Sequence, residues 1–142
     1  MADLTVTAAK VGIVDPLKSI VKSYIASVAI TAGQAVYIVA ATGKVALADA
    51  SASDALSQCR GIALQSVGAG QAVDVLEEGE LYGFTLSTMA YNAPLFLSDT
   101  AGALGEATGD STSNCIIGCV APLADKDLTK VARISIARYI SW

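Results

Sequence analysis

Glycine recurs along most of this chain at intervals of about ten residues, the spacing of turn signals in sequences built from many short strands. It stands at Gly33, Gly43, Gly61, Gly68, Gly70, Gly79, Gly83, Gly102, Gly109 and Gly118. Between these points lie short runs rich in Val, Ile, Leu and aromatics: Ala35-Val36-Tyr37-Ile38-Val39, Arg60-Gly61-Ile62-Ala63-Leu64, Ala72-Val73-Asp74-Val75-Leu76, Leu81-Tyr82-Gly83-Phe84-Thr85-Leu86, Pro94-Leu95-Phe96-Leu97 and Cys115-Ile116-Ile117-Gly118-Cys119-Val120. A last run spans Ala132 to Ile140, where Ile134 and Ile136 alternate with Arg133 and Ser135. Runs this short, bounded by turn residues and partly alternating with period two, predict strands. The expected fold is all-β, a compact β-barrel or β-sandwich of short strands.

The chain also repeats itself. Gly33 to Val45 lines up with Asn92 to Leu104, and each stretch reads as a strand, a glycine turn and a returning strand. A polar loop follows each, and then Cys59-Arg60-Gly61-Ile62-Ala63-Leu64 matches Ile116-Ile117-Gly118-Cys119-Val120-Ala121. Two units are too few for a solenoid, so they are expected to fold together into one body.

Residues 1–30 stand apart as an N-terminal arm, leaving a single β domain over 31–142. Asp15-Pro16 is a good helix-start pair. Leu17, Ile20, Val21, Tyr24 and Ile25 then fall at helical spacing, which predicts one short helix in the arm.

Composition narrows the function classes. With 142 residues the chain suits one domain. Charged residues make up only 15%, below the usual quarter or so, which points to surface covered by partners. Nine acids and a single base, Arg60, lie between Val45 and Asp110. The bases sit toward the ends, at Lys10, Lys18 and Lys22 and at Lys126, Lys130, Arg133 and Arg138. No basic stripe interleaved with aromatics appears, so direct nucleic-acid binding is not expected. No apolar run is long enough to span a bilayer, so no membrane partner is expected. The N-terminus lacks the pattern of a secretory signal, which predicts synthesis in a cytoplasm.

The sequence contains no histidine. That removes the commonest general base and metal ligand, and any histidine-activated nucleophile. The three cysteines cannot all pair within one chain and are expected as free thiols. Val67-Gly68-Ala69-Gly70-Gln71 lacks the Gly-Lys-Ser/Thr of a phosphate loop. Asp74, Glu77, Glu78 and Glu80 form the one acidic cluster, read as solvated acids at a strand end and turn. Tyr82, Phe84, Tyr91 and Phe96 are read as core aromatics, with a sugar-stacking platform as the alternative. No enzyme activity, cofactor or metal is expected.

The ordered set of segments resembles a family. Ala-Asp-Leu-Thr-Val-Thr-Ala-Ala at 2–9, Thr31 to Tyr37, Gly43 to Ala50, Arg60 to Leu64, Ala69 to Val73, Leu95 to Leu104 and Ile117 to Val120 are together similar to tailed-bacteriophage capsid decoration (cement) proteins and related head-fibre modules. The resemblance implies a structural virion protein on the capsid exterior, often trimeric, with the major capsid protein and copies of itself as partners. Its alternative is a fibre or spike module that binds host-surface glycans or another virion protein. Two attachment surfaces are expected: the arm, through Leu4, Val6, Lys10, Lys18, Lys22 and Tyr24, and the C-terminus, through Arg138, Tyr139 and Trp142.

Overall fold

The computed structural model describes residues 4–49, 59–86, 89–98, 100–105, 116–122 and 130–135. Ten strands run through them: β1 (Gly12–Ile13), β2 (Ile20–Ile25), β3 (Ala35–Ile38), β4 (Val45–Leu47), β5 (Gly61–Ala63), β6 (Ala72–Tyr82), β7 (Pro94–Leu97), β8 (Leu104–Gly105), β9 (Ile116–Pro122) and β10 (Lys130–Ser135). They form one antiparallel sheet in the order β4-β3-β5-β6-β10-β9-β7-β8, and β1 and β2 both pair with β6. The sheet curls into a half-barrel. The all-β expectation holds.

The internal repeat is visible in the pairing. In the first unit β3 pairs with β4 and β5, and β5 pairs with β6. In the second, β7 pairs with β8 and β9, and β9 pairs with β10. The register repeats as well: Val36 faces Gly61, and its sequence equivalent Leu95 faces Gly118. The turn bonds do the same. Gly33 N–H donates to Ala63 O, and Asn92 N–H donates to Val120 O. Asn92, at φ 69°, takes the left-handed position that Gly33 holds at φ 92°. Asparagine is among the few side chains that tolerate that region. The units join where β6 and β10 pair antiparallel, Leu81 opposite Ala132 and Gly79 opposite Ile134.

Gly61 and Gly118 have the same job in the two units. A Cβ on Gly61 would collide with the carbonyl oxygen of Leu76, and one on Gly118 with that of Arg133. Each glycine therefore lets the next strand of its unit approach where any side chain would hold it off.

The N-terminal segment closes the sheet. Leu4 N–H donates to Leu104 O at the end of β8, and Thr7 N–H to Gly83 O. β1 and β2 then follow the edge of β6. Beyond them Ser27 N–H donates to Val45 O at the end of β4. One continuous segment thus ties both ends of the strand path. Two apolar clusters lie on opposite faces of the sheet through β3, β5 and β6. The larger gathers Leu81, Leu95, Leu97, Leu104, Ile117 and Ile134, with Leu4, Val11 and Ile13 packed on it. The smaller gathers Ile30, Val36, Val45, Val73 and Val75, with Tyr24 packed on it.

Two expectations need correction. The segment after Asp15 is not a helix beyond one 3-10 turn, Pro16–Lys18, and continues as β2. The cap forms as predicted, with Leu17 N–H donating to Asp15 Oδ1 at 3.0 Å. β-Branched Ile20, Val21 and Ile25 favour the strand, and the open edge of β6 supplies backbone partners that a helix would forgo. The stretch 77–80 is also not a turn but the middle of β6, with the register shifting opposite Ile20 and Val21.

Gly118→Ala is expected to destabilise the protein by about 1–3 kcal/mol or more through overpacking. Gly12→Ala, whose Cβ would meet nothing within 4 Å, is expected to stay within about 0.5 kcal/mol of the parent. Urea unfolding of the two variants measures both.

Candidate interaction surface

Among the described residues, most of the exposed large apolar side chains lie in the N-terminal segment. Leu17, on the capped turn, is 96% exposed, and Ile20, Val21, Ile25 and Val28 follow at 40–43%. Their sequence spacing suits a buried helical stripe, but as a strand they stand along an edge. Hydrogen bonding decides which groups remain outward. Ala26 N–H donates to Gln71 O, while Leu64 N–H donates to Asp74 O on the opposite edge of β6. Antiparallel bonding alternates along a strand. Lys22 and Tyr24 therefore bond β6 at Val75 and Val73, and the backbones of Val21 and Ser23 point away from it. Among the described residues, no strand pairs with that outer edge of β2.

The inner support of β2 is polar as well as apolar. Tyr24 is half-buried, and its hydroxyl donates to Glu77 Oε2 at 2.6 Å. Glu77 is only 5% exposed. It is the extra residue where Ile20 pairs with Glu78 and the next residue, Val21, with Leu76. Val73, Val75 and Glu77 share one face of β6 by regular alternation, the face that Tyr24 covers, which accounts for a carboxyl against the core. Lys22 Nζ lies 5.5 Å from the Tyr24 ring centroid, within cation–π range. On the other face Ser23 Oγ donates to Asp74 Oδ1 at 2.5 Å, and Gln65 Nε2 to Asp74 Oδ2 at 3.2 Å. The acidic cluster expected in solvent is thus spread along β6: Glu77 is buried, Asp74 and Glu80 are half-buried, and Glu78 is exposed.

The residues singled out from sequence separate into three groups. Lys10 and Lys22 are exposed, and Lys18 lies in the turn that carries Leu17. Leu4, Val6 and Tyr24 are half-buried within their own chain: Leu4 packs on the larger core, and Val6 bridges Phe84. Arg138, Tyr139 and Trp142 lie outside the described residues, as does Cys115. Leu17, Ile20, Val21 and Ile25 were expected on a helix face, and Val28 was missed. Only the strand assignment turns them into a surface.

Other features offer less. Phe84 packs on the larger core, whereas Tyr82 and Tyr91 are exposed on separate elements. Cys59 is buried, its Sγ donating to Gly61 O at 3.5 Å, and Cys119 is half-buried. A cavity of about 280 Å³ lies between the N-terminal residues Leu4 and Val6 and the turns around Gly33 and Gly102. Its lining has no titratable side chain. Among the described residues no group of three or more Cys, Asp and Glu is placed to hold a metal ion. No described helix is long and apolar enough to cross a membrane. No family model matches the chain, and no curated protein is detectably similar to it.

Tyr24→Phe removes a hydroxyl donor from a buried carboxyl and is expected to cost about 1–2 kcal/mol. Ser23→Ala, at an exposed pair, is expected to cost less than about 0.5 kcal/mol. Denaturant midpoints of the two variants give the comparison.

Proposed function

We propose that this protein is a structural component of a tailed-phage virion that binds the outside of the mature capsid and stabilises it. The observation that carries this reading is the apolar surface headed by Leu17. It is held on a capped turn and a hydrogen-bonded strand rather than on a loose loop. A chain with so few charges gains most by covering such a surface, because each fully buried leucine contributes about 1.5–3 kcal/mol. The ordered resemblance to decoration proteins points the same way. In this reading the partner is the major capsid protein, the site is the capsid exterior, and the protein is made in the host cytoplasm. It needs no cofactor and performs no reaction. The C-terminal residues Arg138, Tyr139 and Trp142 remain the second proposed contact.

The mechanism is mass action on a lattice. A protein that binds only the expanded shell lowers the free energy of that shell by its own binding free energy. Exposed Lys10 and Lys22 on the same segment would add attraction to an acidic capsid surface. The resemblance implies that copies associate as a homotrimer, whereas the geometry of β2 favours a two-fold pair.

The test is co-sedimentation with undecorated expanded capsids, with unexpanded procapsids as the control. Saturable binding to the expanded shell alone is expected. Leu17→Asp should weaken it at least tenfold, about 1.4 kcal/mol. Binding to neither shell would sink the capsid reading and favour the glycan-binding alternative. Binding that Leu17→Asp leaves untouched would move the contact elsewhere on the protein.

A further inference from the structure

β2 is an open strand edge of limited length. It starts after the Pro16–Lys18 turn, and it ends where Ala26 bridges to Val45. Natural sheets usually blunt such edges with charge, proline or a covering segment. This edge has a single charge, Lys22, and shows exposed Val21 and Ile25 on one face. The backbones of Val21 and Ser23 point outward together with the N–H of Ile25, by the alternation derived above.

The sequence of this edge is complementary to itself. About a two-fold axis at Ser23, an antiparallel second strand places Val21 opposite Ile25 of the other copy and Ile25 opposite its Val21. Ser23 meets Ser23 and exchanges both backbone hydrogen bonds with it. The Ile25 N–H reaches the Val21 carbonyl. Lys22 falls opposite Tyr24 of the second copy, whose hydroxyl is held on Glu77. The ammonium thus meets an aromatic ring backed by a carboxyl, and the two lysines do not face each other. Shifting the axis by one residue to Lys22 would put lysine directly against lysine, which is destabilising. Shifting it to Val21 would set Ile25 opposite Leu17, which lies in the capped turn before β2 and is not part of a strand ladder. Only the Ser23 register pairs apolar with apolar and charge with its complement.

We propose that two copies of this chain join through β2 in that register, making a two-fold dimer with one continuous sheet across the axis. A contact of this kind is isologous and closes on itself, so it limits assembly to two. It goes beyond the capsid reading and does not depend on it. A dimer would carry two Leu17 turns, and a lattice-binding protein gains avidity from such a pair.

The experiment is light scattering of the purified full-length protein across a concentration series, without capsids. The expected mass is twice that of the 14.4 kDa chain. V21K/I25K sets like charges opposite each other and should be monomeric. V21K/I25E sets each introduced lysine opposite an introduced glutamate and should be dimeric at low salt, weakening as salt is raised. Both variants alter exposed sites, and circular dichroism checks that each is folded. A wild-type protein that is monomeric or trimeric at every concentration overturns the proposal, as does a folded V21K/I25K that remains dimeric. A monomeric V21K/I25E overturns the register. A monomeric wild type whose capsid co-sedimentation is abolished by V21K/I25K would assign the edge to a capsid strand instead. Capsid binding by a monomer, or dimerisation without capsid binding, separates the fate of this proposal from that of the functional reading.

Discussion

β6 is the strand on which everything else hangs. One edge of it pairs with β5 and then β10, so it joins the two repeated units. The other edge pairs with β2 and then β1, so it anchors the N-terminal segment. Each half of an eleven-residue strand is thereby bonded on both sides. The register shift opposite Ile20 and Val21 lies between the halves, and there Glu77, on the face of Val73 and Val75, accepts from the Tyr24 hydroxyl. Backbone groups removed from water must find partners, and β6 finds all of its principal ones within the same chain.

The two-unit design explains the closure. Each unit is a hairpin whose first strand also pairs with a third, which passes the sheet to a fourth. Joining two such units through β6 and β10 leaves β4 and β8 as the ends of the path. An open end of a sheet is a template for unwanted pairing. Residues 4–27 touch both ends, at Leu104 and at Val45. The segment that stabilises the curl thus becomes its outermost strand, and it carries the exposed apolar residues Leu17, Ile20, Val21, Ile25 and Val28. Closure and surface are consequences of one placement.

Much of this was legible in the residues. Glycine spacing and short β-branched runs mark the strands, and the alignment of Gly61 with Gly118 is repeated in space down to the carbonyl each would strike. The N-terminal segment was harder. Leu17, Ile20, Val21, Tyr24 and Ile25 satisfy a helical period, and local pattern does not register that β6 has a free edge waiting. Leu4 and Val6 read as attachment residues when residues 1–30 are taken as an arm, yet most of that stretch pairs with residues 71–85 or packs on the core. The burial of Glu77 was illegible for a related reason. Its cover comes from Tyr24 of β2, and Glu77-Glu78-Gly79 alone looks like a solvated turn.

The central claim is that the N-terminal segment is a built part of the sheet and displays exposed apolar side chains from there. Amide hydrogen exchange on the full-length protein tests it most directly. The account predicts that the amides of Val14, Lys22, Tyr24 and Ala26 are protected to the same degree as those of Val73 and Val75 in β6. Exchange of the four at the rate of an unstructured peptide, while β6 stays protected, would mean a free arm and would contradict it.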